Sequence, residues 1–190
     1  AAALGGCAIS KENTGTFAAL TDEQGRVVIG APDFTGPALR RVGFADILER
    51  EEYSLFRGSG GQAEALFAEA RTDMHSQTAL DFSYLVEAAI KMFRFNQGQA
   101  IEFSDAKFVK TSFGGAWTRS YLLTGSGHAC IGFYAEWDHR PDDPNRRPSK
   151  GLFGYACRPA GKAMPDADAL AVVQSIDLQG ITVPLRVTSA

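Results

Sequence analysis

Two aromatic-rich stretches constrain this chain more than any other feature: "GHACIGFYAEWDH", which carries Cys130, and "KGLFGYACRPAG", which carries Cys157. Bulky, β-favouring residues between turn signals predict two strands. If Cys130 faces Cys157 in an antiparallel hairpin, then Gly132 faces Tyr155, Tyr134 faces Phe153 and Glu136 faces Gly151. That register gathers Ile131, Phe133, Ala135 and Trp137 with Leu152, Gly154 and Ala156 on one apolar surface, and a slip of one residue would scatter them. The intervening "DHRPDDPNRRPSK" is polar and proline-rich, as an exposed connection should be. A disulfide between the two cysteines would then close a loop that stabilises the fold by about 3 kcal/mol.

Around this hairpin the pattern predicts an α+β fold, an antiparallel β meander packed with one long helix and a shorter C-terminal helix. Val27-Val28-Ile29 suggests a first strand, and Asp33 to Gly43 reads as irregular. Tyr53 to Arg57 and Gln62 to Arg71 flank Gly58-Ser59-Gly60-Gly61 and suggest a second hairpin, although residues 62–71 also suit a helix. The long helix is expected from Thr78 to Phe95, with Thr78 and Asp81 spaced as a capping box and an apolar stripe of Leu85, Ala88, Ala89, Met92 and Phe95. "AIEFSDAKFVKTSF" and "AWTRSYLLTG" supply two more strands of the meander. A second helix starts near Pro165, with Asp166 and Asp168 placed favourably for its dipole and Leu170, Val173 and Ile176 pointing one way. "GITVPLRVTSA" would close the chain as an edge strand, since Pro184 lacks a backbone N–H. The expected organisation is a terminal tether, 1–24, followed by a single domain, 25–190.

The start of the chain bears on address. Leu4-Gly5-Gly6-Cys7 resembles the bacterial lipobox, in which small residues precede the cysteine that receives diacylglycerol. Ala1 to Ala3 read as the end of an apolar signal segment and Ser10 to Thr16 as the tether that follows. The resemblance implies lipidation of Cys7 and a membrane anchor on the periplasmic side of a bacterial envelope. Ala8 after the cysteine is similar to what lipoproteins sorted to the outer membrane carry. With Cys7 committed to lipid, the chain's other two cysteines pair without remainder, which suits an oxidising compartment. The order of meander, clamp and C-terminal helix resembles small modules of exported lipoproteins, without transferable functional residues.

Composition and motifs narrow the chemistry. A formal charge of -3 gives no basic footprint for nucleic acid. There is no G-x-S-x-G elbow, Walker loop, H-E-x-x-H or C-x-x-C, so the familiar local routes to hydrolysis, phosphate binding, zinc and dithiol exchange are missing. No catalytic residue, metal site or cofactor is therefore assigned. Gly58-Ser59-Gly60-Gly61 reads as a turn rather than an anion cradle, and Ser126 beside His128 lacks a third group to steer the imidazole. The connection from Asp138 to Arg147 offers hard oxygens, but its arginines compete with a cation. It reads as a mixed-charge surface loop or, more interestingly, as a contact surface for a protein partner, with Trp137, Asp138, His139, Arg140, Arg146 and Arg147 as candidate contacts. The expected role is a non-catalytic binding or structural accessory subunit of an envelope assembly. The alternatives are an envelope hydrolase with dispersed catalytic groups, or a carrier of an apolar ligand held between the long helix and the sheet.

Overall fold

The computed structural model describes residues 18–34, 39–44, 49–70, 85–139 and 145–181. In chain order the elements are β1 (Ala18–Ala19), β2 (Val27–Ile29), β3 (Leu39–Phe44), β4 (Glu49–Gly58), β5 (Gly61–Ala70), α1 (Val86–Lys91), β6 (Ile101–Phe103), β7 (Lys107–Thr111), β8 (Gly114–Leu123), β9 (His128–His139), β10 (Pro148–Cys157), α2 (Asp166–Gln174) and β11 (Ile176–Leu178). The main antiparallel sheet runs β1-β3-β4-β5-β10-β9-β8-β6, with β7 also paired to β8. A separate ribbon joins β11 to β2. The protein is thus α+β and mostly antiparallel sheet.

The cysteine hairpin forms in the predicted register, with Cys130 opposite Cys157, Gly132 opposite Tyr155 and Tyr134 opposite Phe153. Residues 62–71, ambiguous between strand and helix, belong to β5 as far as Ala70. Tertiary pairing decides this, because β5 lies between β4 and β10 and both of its edges are hydrogen-bonded. The reversal into β5 needs glycine. Gly61 has φ +131°, and a Cβ there would lie 1.9 Å from the carbonyl oxygen of Cys157.

Several expectations are corrected. There is no long helix among the described residues: α1 has six residues, and the proposed Thr78/Asp81 cap lies outside them. Its buried face is Val86, Ala89, Ile90 and Phe93, whereas Leu85 is 72% exposed and Met92 49% exposed. The helical phase starts one residue later than the stripe assumed, because Leu85 is extended (φ -72°, ψ 156°). Beyond α1 the chain turns, and the Asn96 side-chain amide caps the Ile90 carbonyl at 3.0 Å. Leu39–Phe44 is a strand rather than irregular chain. Its alternation was hidden because the inward residue Arg40 is charged and is buried through pairing. "AIEFSDAKFVKTSF" breaks into β6 and β7, with Ser104 bonding the Ser120 carbonyl through both its backbone N–H and its hydroxyl. Ile176 lies in β11, not α2, whose buried residues are Ala169, Val172 and Val173. Residues 18–24 also join the fold, ahead of the expected boundary at 25: β1 pairs with β3, and Asp22 meets Arg40 at 3.0 Å. The proposed final strand lies almost wholly outside the described residues.

The sheet has two unlike faces. On one, Phe67, Phe133, Trp137 and Leu152 pack with Val27, Ile29, Phe34, Val173 and Ile176 from α2, the ribbon and a short 3-10 turn. On the other, Tyr121, Cys130, Phe153, Tyr155 and Cys157 pack with Val86, Ala89, Ile90 and Phe93. Gly132 lets α1 settle there, since a Cβ would stand 2.7 Å from Ile90 Cγ2 and 3.0 Å from Val86 Cγ1. We refer to these as the α2 face and the α1 face.

Candidate functional site

Both cysteine side chains are buried on the α1 face and joined as a disulfide, with their Cα atoms 4.0 Å apart. This is the closer, non-hydrogen-bonded type of antiparallel pair. The ladder bond falls one residue along, from the Arg158 N–H to the Ala129 carbonyl. The Tyr121 hydroxyl lies 3.8 Å from Cys157 Sγ and donates to Asn96 Oδ1 at 3.1 Å. Through Asn96 the disulfide region is therefore tied to the end of α1. Burial raises the Tyr121 phenol well above its ordinary range, so it stays a neutral donor.

Next to the disulfide stands a polar cluster that the sequence did not reveal. Glu64 on β5 is only 7% exposed. Its Oε2 accepts from the Tyr53 hydroxyl at 2.6 Å, and its Oε1 accepts from Tyr155 and from Gln62 Nε2, the latter at 3.0 Å. Burial, with the carboxylate alongside, pushes both tyrosines up. They act as protonated donors to the buried Glu64 side chain. The alternation Gln62, Glu64, Leu66 along β5 could have placed Glu64 on a single face. Its phenol donors come from β4 and β10, however, and only the three-dimensional pairing shows them.

Phe95 links this cluster to the Ser126/His128 pair. Its ring stacks on Tyr155 (5.5 Å, 11°) and meets His128 edge-on (5.2 Å). Ser126 Oγ lies 3.0 Å from His128 Nδ1. The pair spans the turn between β8 and β9, and among the described residues no carboxylate hydrogen bond to the other ring nitrogen is seen. Gly58 to Gly61 form the β4–β5 reversal, where the Gly60 N–H bonds the Asp33 carbonyl at 3.0 Å. That loop does not cradle an anion at this amide.

The candidate contact residues separate. Trp137 is 7% exposed on the α2 face, its ring against Phe67 and Phe113, both at 6.0 Å. This corrects its assignment to a contact surface: the alternation that sends Asp138 outward sends Trp137 into the core. Asp138 adopts φ 61° and pairs with Lys150, whose ammonium holds the Asp138 carboxyl below the usual carboxylate range. His139 Nε2 lies 3.4 Å from Glu136 Oε1, and Glu136 Oε2 accepts from the Tyr134 hydroxyl at 2.6 Å. Arg146 is exposed with φ 49°, Arg147 is half-buried, and Arg140 lies outside the described residues. Cys7 lies outside them too. No helix among the described residues is long and apolar enough to cross a membrane.

Phe108 and Trp117 are cross-strand partners on β7 and β8, 60% and 51% exposed, in edge-to-face contact at 5.4 Å. Comparison of the chain with protein families, with curated proteins and with solved structures gives no match.

Proposed function

We propose that this chain is a lipid-anchored binding domain of a bacterial envelope, held through Cys7 on the periplasmic side, most simply at the outer membrane, and acting as a non-catalytic accessory subunit. The observation that carries this reading is the buried Cys130–Cys157 disulfide at the middle of the main sheet. Such a bond persists where thiols are oxidised and is rare in a reducing cytosol. The engaged state of Glu64 and the turn-spanning Ser126/His128 pair favour binding over catalysis. A carrier role for the space under the helix has less support, because α1 sits directly on Gly132.

The test is purification from native membranes, followed by intact-mass analysis and thiol counting under denaturing conditions. The expected product begins at a diacylated and acylated Cys7, needs detergent for extraction, and shows no reactive thiol before reduction. Cys7→Ser should move it to the soluble periplasmic fraction. An unmodified chain recovered from the cytosol, with Cys130 and Cys157 both reacting without reductant, would overturn the proposal.

A further inference from the structure

One edge of the main sheet is formed by β6 and β7, which lie end to end along β8. The ladder fixes which backbone groups of β7 point outward. The Arg158 N–H bonds the Ala129 carbonyl, so Ala129 points toward β10 and Cys130, one residue on, toward β8. Cys130 stands opposite Tyr121, which therefore faces β9. Ser120 faces the other way, where its carbonyl accepts from the Ser104 N–H at 2.9 Å. Thr118, Ala116 and Gly114 share the parity of Ser120, and their partners Lys107, Val109 and Thr111 bond back to them. Phe108 and Lys110 are left with backbone N–H and C=O groups directed away from the sheet, and both residues are exposed.

The side chains of the same two residues lie on the α1 face. Phe108 meets the exposed ring of Trp117 edge-to-face across the strand pair. The Phe108 ring covers Gly115, where a Cβ would stand 2.3 Å from Phe108 Cζ, so the bare glycine lets the ring lie down on the sheet beside Trp117. Lys110, opposite Gly115, has no ion pair among the described residues, whereas Lys107 is matched by Asp166 at 2.6 Å. Unmet backbone groups, a seated aromatic surface and an unneutralised ammonium thus adjoin on one short strand. Lysines alone would read as protection of an edge, but protection gains nothing from two exposed rings.

Three kinds of occupant can be held against these groups. A bilayer would meet the rings and the ammonium but leave the outward N–H and C=O groups without partners, which lipid does not supply. A second copy would pair its own β7 there, but would bring two unneutralised Lys110 side chains into one short ribbon. An extended peptide meets all three: it adds as a strand, with an apolar side chain opposite Phe108 and an acidic one opposite Lys110, two residues apart on one face. We propose that β7 is a docking edge for an extended acidic segment of a partner protein, bound by strand addition. Such an edge gives the binding role proposed above, on which it rests, a partner of stated chemistry. Its test does not involve Cys7, so failure here and failure of the anchor are separate results.

The probe is the peptide Thr-Glu-Thr-Val-Thr-Glu-Thr, blocked at both ends and titrated into the isotope-labelled full chain. Its sequence reads the same in both directions, so either strand orientation can bind. Saturable shifts centred on β7 are expected, with the Phe108 and Lys110 amides protected from hydrogen exchange. The same peptide N-methylated at valine should bind about tenfold more weakly, because it loses the bond to the Phe108 carbonyl. Lys110→Pro removes an outward donor and the ammonium while sparing the bonds to β8, and should also cost about tenfold or more. Gly115→Ala displaces the Phe108 ring and should weaken binding by about threefold. If Lys110→Pro does not fold, Lys110→Glu carries the comparison. Absence of saturation, equal binding of the N-methylated peptide, or an unchanged Kd in the variants would each overturn the proposal. So would a dimer joined through β7 without peptide binding, or binding to phosphatidylglycerol vesicles with none to the peptide.

Discussion

Among the described residues each face of the main sheet buries one glutamate, and the two are satisfied in opposite ways. Glu52, fully buried on the α2 face, accepts from the backbone N–H groups that open β2 and meets the guanidinium of Arg50, with Arg40 4.0 Å away. Arg40 in turn holds the Val27 carbonyl, the Ser54 hydroxyl and Asp22. Glu64, on the α1 face, is served by two phenols from the adjoining strands β4 and β10 and by the Gln62 amide of its own strand. The first carboxylate fastens a second layer of chain to the sheet, whereas the second only completes the surface it stands on. Removing them should therefore damage different things.

The largest effect is expected from Glu52→Leu. It strands the Arg26 and Val27 N–H groups and leaves Arg50 and Arg40 without their shared carboxylate, a loss of about 3–5 kcal/mol. Urea unfolding measures it, and hydrogen exchange should rise first in β2 and β11. Equal exchange across both faces would erase the proposed contrast. Glu64→Gln keeps the shape and one acceptor oxygen, so a loss of about 1–2 kcal/mol is expected, with β2 and β11 protection unchanged. A loss as large as that of Glu52→Leu would show that the α1 face carries an anchor of its own.

The smallest effect concerns the pair at the rim. Lys150 holds Asp138 below its ordinary range, so the stabilisation is present above the unfolded carboxylate value and is lost as pH falls through the lowered folded value. Lys150→Met should flatten stability against pH across that acidic window and cost under about 1 kcal/mol at neutral pH, because solvent screens the pair. A drop confined to alkaline pH would contradict the assigned sign.

The same contrast explains what could be read in advance. The cysteine hairpin was legible because both of its faces are apolar, its spacing fixes a register, and its connection is rich in proline and charge. The β4–β5 hairpin was legible only in part, since Ala63, Ala65 and Ala68 favour a helix locally and neighbouring strands overrule them. Arg40 and Glu52 break the apolar alternation that marks a strand, because they are buried through one another and through the backbone of β2. The Glu64 cluster draws on β4, β5 and β10, so no local spacing announces it. Trp137 was misplaced because its neighbours Asp138 and His139 drew it into the polar connection, while the period of two kept it inside.

The order of the strands also dictates a sequence of events for the emerging chain. β5 and β10 are neighbours in the sheet, yet α1 and four other strands lie between them along the polypeptide. Until β10 is synthesised and docked, the alanine-rich β5 offers a naked edge, a surface on which stray chains add. The β5–β10 seam is therefore a pairing of long sequence separation, the kind whose loop-closure entropy must be met before its contacts form.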